Sequence, residues 1–138
     1  MSVLEWSDEL RIDGGPMDEL HVEFTALLNA LAAAPPDEAV VTLEGFIEHC
    51  ERHFAEEEQW MRACEFPRLS CHLLQHASLL QVARDVQTRI ANGESNLAPL
   101  LAAAIAAWFR DHVSFMDRML AHHMEDVGYT PQHTDAII

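Results

Sequence analysis

The sequence predicts an all-α protein, an antiparallel up-down-up-down four-helix bundle preceded by an N-terminal arm. Composition is the first reason: hydrophobic residues make up 49% of 138, Gly occurs only 5 times, and long stretches are dense in Ala, Leu, Glu, Met and Gln, which favour helix. The second is periodicity, because four stretches carry apolar residues three and four apart. The third is the shortness of the connections, which favours antiparallel neighbours. A chain of this length fits one domain across 1–138 and can bury a core without disulfides or a structural metal.

Residues Met1 to Met17 contain Gly14, Gly15 and Pro16 and keep no helical period, so they read as an arm over the bundle, anchored by Trp6. From Asp18 the first helix carries Leu20, Phe24, Leu27, Leu28 and Leu31 until Pro35 and Pro36 end it. Pro36 and Asp37 open the second, whose apolar set is Val40, Leu43, Phe46, Ile47, Cys50, Phe54 and Met61 up to about Cys64. Phe66 and Pro67 make a corner. The third helix carries Leu69, Leu73, Leu80 and Val86, and Gly93 caps it. The fourth runs from about Leu97 to about Glu125. The layout is therefore arm 1–17, bundle about 18–126 and irregular tail 127–138, without a repeat, low-complexity tract, linker or output domain.

A net charge of −15 with only 8 Lys and Arg argues against nucleic acid and anionic lipid as partners. The N-terminus lacks the basic segment and apolar run of a signal peptide, and Leu97 to Phe109 is too short to span a bilayer, so a cytoplasmic protein with no membrane contact is expected. Cys50, Cys64 and Cys71 match no zinc or disulfide pattern and read as buried or half-buried free thiols.

Nine histidines are the feature to explain. His53 and Glu57 are four apart on the second helix and His72 and His76 four apart on the third, so each pair projects from one face as a two-point claw for a metal. Two such pairs on consecutive, facing helices mean far more than one. Imidazole with carboxylate suits iron, manganese or zinc, and a carboxylate able to bridge points to a dinuclear site. The run His72-Leu73-Leu74-Gln75-His76 lacks the glutamate that H-E-x-x-H proteases use as base. No histidine has glutamate three residues before it, which excludes the ferritin-like di-iron pattern.

His53-Phe54-Ala55-Glu56-Glu57-Glu58 with Met61, then Phe66-Pro67, His72-x-x-x-His76 and Trp108-x-x-x-His112-x-x-x-x-Asp117 resemble the bacterial hemerythrins, from Trp6 to about Leu120. Asp18-Glu19-Leu20-His21 stands where that family usually has Asp-x-Gln-His; His21 matches, and Leu20 departs and alters the hydrogen bonding expected beside it. The resemblance implies two iron ions per chain with an oxo or hydroxo bridge, one on His72, His76 and His112, the other on His21 and His53, with Glu57 and Asp117 bridging. Of twelve octahedral positions it leaves one open, on the His21 side, for dioxygen or small anions such as azide or chloride. Reversible dioxygen binding without catalysis follows as the expected function, for carriage, storage or sensing; no proton-delivering chain is evident in the sequence. A di-iron enzyme acting on peroxide or nitric oxide, and an iron-buffering protein, are the rival readings.

The role of Asp117 rests on the resemblance alone, because five residues place it about 140° around an ideal helix from His112. A local irregularity such as a π-bulge between the two is therefore expected. His49, one turn before His53, reads as a supporting or packed residue, and His122, His123 and His133 as solvated surface. Glu56 and Glu58 read as a solvated face outside the site. Phe24, Phe54, Trp108 and Phe115 read as core that also flanks the metal pocket.

Overall fold

In a computed structural model, residues 2–133 are described. They fold into α1 (Pro16–Ala33), a single 3-10 turn at Pro36–Glu38, α2 (Ala39–Ala63), α3 (Leu69–Ala91), α4 (Leu97–His112), a π-helical turn at Val113–Asp117, and α5 (Arg118–Val127). The last three follow one another without a break and form the fourth rod of a four-helix bundle. α1 packs on α2 and α4, and α3 packs on the same two, which closes the bundle. No strand occurs among the described residues. Tail residues 134–138 lie outside the described range.

The first helix starts earlier than its apolar period suggests, at Pro16, so the arm is shorter than 1–17. Asp13 explains the shift: its carboxylate accepts the otherwise unpaired N–H groups of Met17 and Asp18, at 3.1 Å each, and that of Gly15. Asp18 in turn accepts the N–H groups of Ile12 at 2.8 Å and Gly14 at 2.6 Å, folding the arm back on the helix start. The arm is anchored by Leu4 and Leu10, both buried, while Trp6 packs half-exposed at the edge. Asn29 of α1 holds Leu4 in place by accepting its N–H and donating to its carbonyl.

Two helix ends share one device. Gly93, in the left-handed region, lets the N–H of Glu94 reach the Arg89 carbonyl and its own N–H reach that of Ile90. At the end of α2 the same pattern is made by Glu65 at φ 53°, with Phe66 N–H on the Met61 carbonyl. That turn drives Phe66 into the core. The fourth rod continues through Val127 and stops at Gly128, so the irregular tail begins one residue later than read.

Apolar side chains form two buried clusters. One gathers Phe24, Leu28, Leu43, Phe46, Leu101, Ile105 and their neighbours toward one end; the other gathers Met17, Leu20, Trp60, Met61, Phe66, Leu120 and Met124 toward the opposite end. The inward stripe of α3 is His72, His76, Leu79 and Ala83, whereas Leu69, Leu73, Leu80 and Val86 are only half-buried. Taking the leucines as the core face rotated that helix, because its histidines hold the inward positions. Cys50 and Cys64 are buried, but Cys71 is exposed.

Glu65 carries a side chain in a conformation that disfavours any Cβ by roughly 1–2 kcal/mol. Glu65→Gly should therefore stabilise the protein by about 0.5–1 kcal/mol after the greater freedom of glycine in the unfolded chain is set against it. An unchanged or lower urea midpoint for this exposed position would contradict the assignment.

Candidate metal centre

Between the two apolar clusters, all four rods turn polar side chains inward. His21 comes from α1, His53 and Glu57 from α2, His72 and His76 from α3, His112 from the end of α4 and Asp117 from the π turn. All seven are buried, none more than 3% exposed. The expected irregularity is present: Arg118 N–H bonds to the Val113 carbonyl five residues back rather than four. The wider turn brings Asp117 round to the same side as His112, with Oδ1 3.1 Å from His112 Nε2.

The carboxylates divide their oxygens between two sets of histidines. Glu57 Oε1 lies 3.2 Å from both His72 Nε2 and His76 Nε2, while Oε2 lies 2.8 Å from His53 Nε2 and 3.7 Å from His21 Nε2. Asp117 Oδ1 lies 3.0 Å from His72 Nε2, and Oδ2 lies 3.0 Å from His21 Nε2. Glu57, His72, His76, His112 and Asp117 offer donor atoms all within 4.8 Å of one another, and His21, His53 and Glu57 form a second such group. These atoms aim at shared points rather than at each other. Among the described residues, His21 Nε2 and Asp117 Oδ1 are buried without a hydrogen bond despite their short approaches, as are the Nδ1 atoms of His21, His72 and His76. Buried polar atoms left this way are costly, and the donor types suit cations bound by imidazole and carboxylate.

Electrostatics couple the groups. Burial pulls the His21 imidazolium down, but the carboxylates of Asp117 and Glu57, 3.0 and 3.7 Å from its Nε2, outweigh it and raise the group to about 9. The same contest raises His72 to about 10. For His53 burial wins over Glu57 and lowers the ring to about 4, and burial also lowers His76. Glu57 and Asp117 stay well below the ordinary carboxylate range: burial opposes ionisation, yet the surrounding histidines prevail.

Comparison with known proteins agrees with this geometry. Residues 16–123 match the sequence profile of the family described as the hemerythrin HHE cation binding domain. The chain belongs to the hemerythrin family. It is 42% identical to the bacteriohemerythrin of Ralstonia nicotianae, over 93% of each chain. It is 24% identical to that of Stenotrophomonas maltophilia, over 88% of this chain and 85% of the relative. Crystal structures of two hemerythrin point mutants superpose with TM-scores of 0.78 and 0.79, covering 89% and 90% of this chain and 98% of each of theirs; at 20% identity they speak for the fold alone. No helix among the described residues is long and apolar enough to cross a membrane.

Within this hemerythrin bundle, aromatic rings press on the candidate ligands. Phe54 stacks on His76 with ring centres 3.8 Å apart, Trp108 stacks on His112 at 4.4 Å, and Phe109 meets His21 edge-on at 5.1 Å. Phe24 stacks on Phe109 and meets His53 edge-on. Phe115 does not join them: it is 69% exposed, because the π turn rotates it outward.

Several residues around the centre escaped sequence reasoning. Gln75 Oε1 accepts from His112 Nδ1 at 2.8 Å. His49, read as a supporting or packed residue, is buried and hydrogen-bonded to both His53 and Glu23, and it was the Glu23 partner on α1 that the sequence did not show. Glu56 is not on a solvated face: it is buried and bonded to His133 Nδ1 at 2.8 Å. His133 is likewise held, its Nε2 donating to Glu19, and those two carboxylates raise it. His123 donates to the Cys64 carbonyl, whereas His122 is exposed as read. The unusual Leu20 packs in the apolar cluster of Met17, Trp60 and Met61, and His21 Nδ1 has no hydrogen-bond partner among the described residues.

Metal binding requires neutral imidazole, so protons on His21 and His72, both held above neutrality, must leave. Loading metal-free protein with ferrous iron at pH 7 should release about two protons per chain into a weakly buffered indicator solution, fewer as pH rises through 9 to 10. Acid reverses the reaction, and iron should be lost as pH falls well below about 6.5. Loading with no proton release at pH 7 would show that the imidazolium pair does not exist.

Proposed function

We propose that the chain holds two iron ions and binds dioxygen reversibly, for carriage, storage or sensing. His72, His76 and His112 would hold one ion and His21 and His53 the other, with Glu57 and Asp117 spanning both. The observation that carries this reading is the division of the carboxylate oxygens, one of each pair toward the three-histidine group and one toward the two-histidine group. Such a division serves two cations side by side; one ion would leave an oxygen of each buried carboxylate uncompensated. Five imidazole nitrogens and four carboxylate oxygens also exceed the four positions of a single structural zinc.

The bound pair would supply one open coordination position, on the His21 and His53 side, where dioxygen or a small anion binds. The chain's residues do the rest. Five imidazoles and two carboxylates hold the ions, and the stacked rings of Phe54 and Trp108 with the edges of Phe24 and Phe109 limit water and fix the ligand rings. A donor set rich in histidine favours binding over the high-valent oxidation that carboxylate-rich sites support, so we read a binding protein rather than an enzyme. We place it in the cytoplasm, away from nucleic acid and membrane, to which a net charge of −15 is poorly matched. The arm and bundle together form its working unit.

Metal analysis should find about two iron per chain, as expected for carboxylate-bridged dinuclear sites, and the absorption spectrum of reduced protein should change on exposure to air and return when oxygen is removed. One zinc per chain without iron would overturn the metal assignment, and an irreversible change would overturn reversible binding. In an azide-soaked oxidised crystal, azide should sit on the His21 and His53 side; azide bridging both ions, or bound on the His72 side, would refute the partition.

A further inference from the structure

His53 is the start of a hydrogen-bonded chain that leaves the centre. Its Nδ1 lies 3.1 Å from Nε2 of His49, and Nδ1 of His49 lies 2.6 Å from Oε1 of Glu23. His49 is 2% exposed, whereas the Glu23 side chain is 48% exposed and also accepts from Arg52. The chain crosses helices, since Glu23 belongs to α1 and both histidines to α2.

The polarity of this chain follows from elementary chemistry. An imidazole that offers Nε2 to a cation must carry its proton on Nδ1, and that N–H needs an acceptor. His49 Nε2 can accept only if the His49 proton sits on Nδ1, which must then find an acceptor of its own. An ionised carboxylate accepts and never donates, and Glu23 lies there. Every link therefore points outward, from His53 to His49 to Glu23. His53 Nε2 is left as a bare lone pair 2.8 Å from Glu57 Oε2. A cation bound between them would join these two acceptors.

We propose that His49 and Glu23 are positioning residues, which fix the ring orientation and tautomer of His53 so that its Nε2 is presented to the ion on the two-histidine side. This rests on the reading that two ions bind. Among the described residues, only His53 and His112 of the five candidate histidines find such a partner, and His21 Nδ1 finds none. The two-histidine ion thus depends on one anchored ring, and weakening that anchor should free this ion first.

The test is iron release from ferrous-loaded protein to a chelator, followed in the wild type, His49→Phe and His49→Gln. His49→Phe keeps a ring of similar size but removes the acceptor. The first of two irons should leave about 10- to 100-fold faster and the second at the wild-type rate. His49→Gln, whose side-chain carbonyl can accept from His53 Nδ1, should restore most of the difference. Both irons leaving equally faster in His49→Phe would mean ordinary packing, and unchanged release would also overturn the proposal. Should His49→Phe fail to fold, imidazole nitrogen shifts of the zinc-loaded wild type decide: protons on Nδ1 of both His53 and His49 support the chain, and a proton on Nε2 of His49 refutes it. A wild type that takes up no iron would sink this inference together with the function proposed above. Two irons released from His49→Phe as from the wild type would sink only the role of His49.

Discussion

Two carboxylates buried at the middle of an apolar bundle are the constraint around which this structure is arranged. Glu57 and Asp117 are at most 1% exposed, and an ionised carboxylate cannot remain in such surroundings without cationic or hydrogen-bonding partners. Those partners come from every rod: His21, His53, His72 with His76, and His112. Each rod brings at least one imidazole nitrogen within 3.1 Å of one of these carboxylates. The polar centre therefore requires all four rods in register, and the apolar clusters on either side supply the hydrophobic drive to hold them there.

The same constraint accounts for the break in the fourth rod. A regular helix would turn Asp117 away from His112, leaving one side of the centre without its second carboxylate. The π turn brings it back without ending the rod, and its by-product is a phenylalanine, Phe115, on the surface. An exposed aromatic and a widened turn are thus two consequences of one requirement.

Around the centre the structure adds a layer that fixes rings rather than supplying donors. Phe54 and Trp108 lie flat against His76 and His112, and Gln75 and His49 take the outer nitrogens of His112 and His53. Among the described residues His21 Nδ1 has no such polar partner, and beside it stands Leu20, buried in the apolar cluster of Met17, Trp60 and Met61. The two sides of the centre are therefore unequal both in histidine number and in how firmly their rings are held.

The sequence by itself determined the all-helical bundle, most helix limits, and the two claws His53 with Glu57 and His72 with His76, because periodicity within one helix reports which residues share a face. Its motifs also identified the family, through which His21, His112 and Asp117 joined the candidate set. Periodicity does not report what a face meets. Only the tertiary structure decided that the inward stripe of α3 runs through Leu79 and Ala83, that Asp13 starts α1, and that Glu56 lies buried against His133, 77 residues away. The link from His49 to Glu23 spans 26 residues and two helices. A hydrogen bond between distant residues leaves no local spacing to read, since it depends on the register in which two helices pack, and that register exists only once the whole core has formed.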